Sequence, residues 1–462
     1  ATLGNHVQIG TEIKDIPGLV GTVKPVSLKD YYPAVCFNQP TSGIFYFSMA
    51  AGASVIKKSL LPMVPFFCYA LPRVGTKLNN YSKLALNIDE YTGGVGLSSH
   101  AGTSYDETGR CIPIVSFGGK CLVRNVENMY EIIKEILVEF SFADLDRLKS
   151  LLFEFRAGME SMVVQNGHKL AMLAAARNFS DTCALSEMWQ GIRQLQTIKT
   201  ITDNLSEDTI KLFAKDLAYI GNTLLIKDNI KLAVTGEDNS LTAAAPCTTD
   251  LLQSLGADAD CDGVKNIDGF CAPDFILDSN LPKEGWFTQS AVCFVAKAFK
   301  TVRMEHEDAP ALSVISKLLR SLYLHREIRE KGGAYGGLSV YNQEDGLFCF
   351  ASYRDPHIIS TMKVYDDAVD FIKMGKYGNE DIKEAILQVC SVIDKPDTPS
   401  VAAQKAFYRS ITLLSDESRK KFKEQLLLLN REKVLYAAQK YFDAGETTNA
   451  ISIVSSEEKL IE

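Results

Sequence analysis

No cysteine of this chain belongs to a CxxC pair or to a cysteine/histidine ligand spacing, although there are eleven of them. Their number is odd and they are scattered singly. Cys68, Cys293 and Cys349 sit in apolar runs where the thiol serves as a small hydrophobe, so a disulfide framework is excluded and a reducing compartment is expected. Long apolar runs are also missing, which excludes a helical membrane span, and the first residues lack a charged-then-apolar signal pattern. Excess positive charge is missing too. At a net charge of −8 with no basic stripe, nucleic acid and anionic membranes are poor partners. Arg419 to Lys421 and Lys423 form a small basic cluster, read as a solvated helix face. Neither a G-x-S-x-G elbow nor a phosphate loop occurs, and none of the six histidines belongs to HxxEH or HExxH. Serine hydrolysis, nucleotide chemistry and a zinc site of either helical type therefore have no carrier in this sequence.

What remains is an ordinary globular composition, 46% hydrophobic and 23% charged, over 462 residues. That length is too great for one core and suits two units of about 200 residues. In the first, strands are expected at 34–38, 43–49, 93–99 and 111–116. Helices follow at 60–74 and 81–91, with a long helical region over 126–213 that includes 145–165 and 185–198. A strand at 230–235 closes the unit. From Asp238 the sequence loosens into Asp, Gly, Ala and Ser, with one short helix at 248–255. The second unit repeats the order: a strand at 290–302, a helix at 309–329, a hairpin over 334–353, helices at 358–374, 379–392, 400–411 and 432–442, and a strand at 450–454. The reading is α+β: two tandem units, each an antiparallel sheet with helices packed on one face. The boundaries are 1–15, 16–237, a linker at 238–270, and 271–462.

The most informative stretch is 324–337, LHREIREKGGAYGG. A helical stripe of Leu312, Ile315, Leu319 and Leu322 continues by one heptad onto Arg329, a cation where an apolar residue is due. Gly332 and Gly333 stop the helix. A strand follows in which Tyr335, Ser339 and Tyr341 share a face. Arg329 and Tyr335 would then point into one space, and Gly332, Gly333, Gly336 and Gly337 would admit another backbone. Against this stands the plainer reading, an arginine favoured by the helix dipole beside a half-buried tyrosine.

Other candidates are weaker. Glu305-His306-Glu307-Asp308 is rich in metal ligands, but Asp308 and Pro310 read as a helix cap and first turn. His325, four residues before Arg329, reads as a packing histidine. Asp258, Asp260, Asp262 and Gly263 open like an EF-hand loop, yet Gly269 stands where the bidentate glutamate belongs, so an acidic linker is preferred to a calcium site. The Arg354-Asp355-Pro356 corner reads as structural, with Asp355 capping the next helix.

REKGGAYGG after an LHxxI helix end resembles the C-terminal half of presequence proteases, a branch of the pitrilysin-type (M16) zinc metallopeptidases. LFCFASYRDP (347–356), NQPTSGIFY (38–46), LPMVPFFCYALPRVGTK (61–77) and YTGGVGLSS (91–99) agree with it in order. The resemblance implies a tail of inter-half linker at 1–15 and the third and fourth family domains in tandem after it. It makes Arg329 and Tyr335 the pair offered to bound peptide. Zinc is expected in an N-terminal catalytic half and not in this chain, which alone would be inactive. Unstructured peptides are the implied substrates, and the setting is cytoplasmic in a bacterium or an organelle matrix in a eukaryote. The rival implication is a non-catalytic subunit of the same fold serving assembly.

Overall fold

Strand β2 (Ile44–Gly52) first alternates half-buried and buried residues, then is buried throughout, as a central strand should be. The computed structural model that shows this describes residues 23–26, 34–256, 268–271, 275 and 277–461. Around β2 lie β1 (Val35–Asn38), β3 (Val95–Thr103), β4 (Cys111–Leu122) and β5 (Ile230–Gly236), in the order β1-β5-β2-β4-β3. The second sheet contains β6 (Lys283–Phe287), β7 (Phe294–Lys300), β8 (Gly336–Asn342), β9 (Leu347–Tyr353) and β10 (Asn449–Ser455), in the order β6-β10-β7-β9-β8. The two orders are the same. Each sheet is antiparallel except for one edge, where the first strand runs parallel to the last. Both units are thus α+β with the expected hairpins. The parallel edge is an addition, and β6 escaped the sequence pattern because KEGWF is short and only alternately covered.

One face of each sheet carries its own unit's helices. In the first, Val64–Ala70, Val126–Val138 and Glu207–Leu224 close over Phe45, Phe47 and Phe117. The segment expected to be loose from Asp238 is a helix, Asp238–Ser254, in the same core. Its composition hides this. Leu241, Ala244, Thr248 and Leu251 are buried at helical spacing, while Thr242, Thr248 and Thr249 return their hydroxyls to carbonyls four residues back. Residues 258–263 of the acidic loop lie outside the described residues.

The opposite face of each sheet is covered by a helix of the other unit. The long helix Leu145–Ala176 begins in the first core with Leu148, Leu151 and Leu152. It leaves helical geometry at Asn166 (φ −131°, ψ 28°), then lays Leu170, Ala171, Ala174 and Ala175 on Phe294, Ala296, Ala298 and Ala450 of the second sheet. In return, Ala403, Phe407 and Ile411 of the helix Pro399–Thr412 cover Phe37, Ala50, Ile114 and Ala233 of the first. The turn between β8 and β9 docks beside this contact: Glu344 accepts the Thr103 N–H at 2.7 Å and Asp345 the Thr103 hydroxyl at 2.7 Å.

Candidate functional site

The helix that carries the candidate arginine starts at Ala309 with Pro310 in its first turn. Asp308 precedes it without capping it; the carboxylate instead receives Lys440 at 2.8 Å and the Tyr441 hydroxyl at 2.7 Å. After Leu318 the backbone widens from α to π geometry, over Leu319–Lys331. With i→i+5 bonding, the buried residues become Leu319, Leu324 and Ile328, at spacings of five and four. The heptad expectation that put Arg329 on the apolar stripe used the wrong period. In the wider helix Arg329 follows the buried Ile328 and points outward. π-Turns of this kind are frequent at functional sites.

Past Gly332 the chain is pinned. The Gly333 N–H donates to Arg329 O at 3.1 Å and the Ala334 N–H to Ile328 O at 3.1 Å. The Tyr335 N–H then donates to Tyr353 O at 3.1 Å, just ahead of β8. Six residues apart in sequence, Arg329 and Tyr335 meet: the guanidinium carbon lies 5.8 Å from the Tyr335 ring centre, a cation–π distance. Tyr335 is 65% exposed. Ser339 and Tyr341, expected on the same face, are tied inward to the carbonyls of Ser316 and Val302. Neighbouring Arg326 and Lys331 share Glu327, and among the described residues Arg329 forms no ion pair.

Of the four glycines, three serve the chain itself. A Cβ on Gly332 would stand 2.6 Å from Ile328 O and one on Gly337 2.8 Å from the Ile328 side chain, while Gly333 has φ +76°. Gly336 faces open space. His325 is half exposed rather than packed, yet it has a polar partner, with Nδ1 3.3 Å from Glu330, again five residues on.

The strand pattern gave no sign of the other aromatic at this site. Tyr353 meets Tyr335 edge-to-face at 5.4 Å and His168 at 4.8 Å. Its hydroxyl donates to Gln165 O at 3.1 Å, beside the irregularity at Asn166 in the long helix. Arg354 holds its guanidinium carbon 5.5 Å from the Tyr353 ring. Asp355, expected as a cap, lies four residues before the start of the helix Ile359–Lys373; buried, it accepts the His357 N–H and the Thr361 hydroxyl.

The chemistry of the metal reading asks for two imidazoles and a carboxylate together. His100, His168, His306, His325 and His357 sit on separate elements, and no group of three or more histidine, cysteine, aspartate or glutamate side chains with metal-binding geometry occurs among the described residues. They do not fit a zinc ion. Among the same residues no helix is long and apolar enough to cross a membrane.

Two family models match the chain: the associated domain of M16 peptidases of subfamily C over residues 11–201, and the "PreP C-terminal domain" over 283–457. Curated relatives include the mitochondrial presequence proteases of Xenopus tropicalis, 28% identical over 449 residues, and of Mus musculus, 28% over 445. Each alignment covers 92% of this chain and 42% of the relative, so the chain spans less than half the length of these proteins. Among solved structures, a peptidase M16 inactive domain from Pseudomonas fluorescens superposes with a TM-score of 0.65 at 15% identity, covering 94% of this chain and 98% of that one, a likeness of fold.

Proposed function

This chain belongs to the M16 peptidases, subfamily C, as a C-terminal half of the presequence-protease type, and we propose that it closes the chamber of a zinc metalloendopeptidase acting on unstructured peptides. On this reading the zinc and its ligands belong to the N-terminal half, on the same polypeptide or as a separate subunit. This chain contributes hydrogen bonding. The Arg329 fork donates to a peptide carbonyl or carboxylate, for which its planar geometry is suited. The Tyr335 hydroxyl donates to the carbonyl oxygen as negative charge develops there. An organelle matrix in a eukaryote, or the cytoplasm of a bacterium, is the corresponding setting; the two vertebrate relatives are described as mitochondrial.

The observation that carries the reading is an exposed arginine and an exposed tyrosine held against each other, with no ion pair at the arginine among the described residues. The test is peptide cleavage with the N-terminal half present. Tyr335→Phe should lower kcat by roughly 10- to 1000-fold, the loss of one oxyanion donor. Arg329→Lys keeps the charge, loses the fork and should also impair turnover. Normal cleavage by both variants would remove the substrate role of Arg329 and Tyr335 and leave only the fold.

A further inference from the structure

Arg354 is exposed, yet its backbone sits at φ +50°, a left-handed conformation that arginine adopts only under constraint. The constraint is visible on both sides. The Tyr335 N–H reaches Arg354 O at 3.4 Å, and the next residue, Asp355, exchanges two backbone hydrogen bonds with Cys293, at 2.7 and 2.9 Å. Nothing in this arrangement uses the guanidinium, and among the described residues Arg354 forms no ion pair. What the strained backbone achieves is placement. The guanidinium lies over Tyr353, which meets Tyr335, which in turn carries Arg329.

We propose that Arg354 is a second substrate-binding guanidinium of this site, and that with Arg329 it selects peptides bearing a carboxylate. The inference deepens the peptidase reading and rests on it. The chain of ring contacts keeps the two guanidiniums within about five residues of extended peptide. Peptide lying across the Tyr335–Tyr353 pair therefore reaches both cations. Arg329 takes the backbone, and Arg354, having no carboxylate of its own, takes one from the peptide in the bidentate geometry guanidinium favours. That carboxylate belongs either to an aspartate or glutamate side chain or to the C-terminus of the peptide.

Calorimetric titration of this chain distinguishes these. Three otherwise identical extended peptides are needed: neutral and amidated, amidated with one glutamate, and neutral with a free C-terminus. At low salt one or both acidic forms should bind about 2- to 5-fold tighter than the neutral amide. The form that gains identifies the source of the carboxylate. Arg354→Gly removes the guanidinium and relaxes the backbone, so it should abolish the gain, leave neutral-peptide binding intact, and keep or raise the Tm. Arg354→Lys should retain part of the preference. The proposal is overturned if the acidic preference survives Arg354→Gly, or if that variant weakens neutral and acidic peptides equally. Should Arg329→Lys and Tyr335→Phe impair cleavage while Arg354→Gly leaves the preference intact, Arg354 fails and the peptidase reading stands. No binding of any peptide at millimolar concentration overturns the Arg354 proposal, whereas the peptidase reading falls with normal cleavage by both Arg329→Lys and Tyr335→Phe.

Discussion

Lys423 is 2% exposed, with both oxygens of Asp394 on its ammonium at 2.8 and 2.7 Å. Removing one member of such a pair leaves a buried charge uncompensated, so Lys423→Ala should cost about 3–5 kcal/mol in urea unfolding. Replacing both, as in Lys423→Met with Asp394→Leu, should recover most of that. A double variant as unstable as the single would show that the pair is not the cause. Sequence placed Lys423 on a solvated face beside Arg419–Lys421, and nothing local marks it as different, because its partner is 29 residues away, at the C-terminal end of another helix. Tyr335 is the opposite case. It is 65% exposed, and Tyr335→Phe should leave the Tm unchanged, since an exposed hydroxyl leaves no buried partner unsatisfied.

At the scale of elements, the docked β8–β9 turn sets a pH dependence. Burial pushes the Glu344 carboxyl up from 4.5 to about 7, despite the Thr103 N–H it accepts. A carboxyl raised in the folded state favours folding at low pH, so this contribution is present below 4.5 and is lost as pH rises through 7, on the order of 1–3 kcal/mol. His100, on the neighbouring β3, works the other way. Burial lowers it from 6.5 to about 4, so its contribution is lost as pH falls through that range. The two offset each other in the parent. Thermal melts between pH 4.5 and 8 should show a steeper rise of Tm with pH in Glu344→Gln and a fall in His100→Asn. Identical slopes in both variants would refute the assignment. Gly167 supplies a second test. A Cβ there would enter the Phe294 ring, so Gly167→Ala should destabilise by about 1–3 kcal/mol although alanine is the better helix former; a denaturation midpoint at or above the parent's would contradict this.

For the whole molecule, the exchange of covering helices has a thermodynamic consequence. Each sheet has an apolar face covered by a helix of the other unit. Unfolding should therefore be one transition, with calorimetric and van't Hoff enthalpies in agreement. Fragments ending at 256 and beginning at 277 should each expose apolar surface and recombine one to one in size-exclusion chromatography. Two separate thermal transitions would mean that the crossed helices contribute little.

What could be read along the chain was whatever depends on near neighbours. Most strands and helices, the β8–β9 hairpin, the order repeated in two units and the meeting of Arg329 with Tyr335 all follow from residues a few positions apart. Even there errors arose: a heptad assumes α geometry and the helix end is wider, and neither Asp308 nor Asp355 caps the helix that follows it. Folding decided the rest: the burial of Lys423, the helix at Asp238–Ser254, the crossed helices, and the support of Tyr335 by Tyr353. The reason is distance along the chain. Tyr353 is held by Gln165, 188 residues earlier, and no local pattern encodes a contact whose two halves are written in different units.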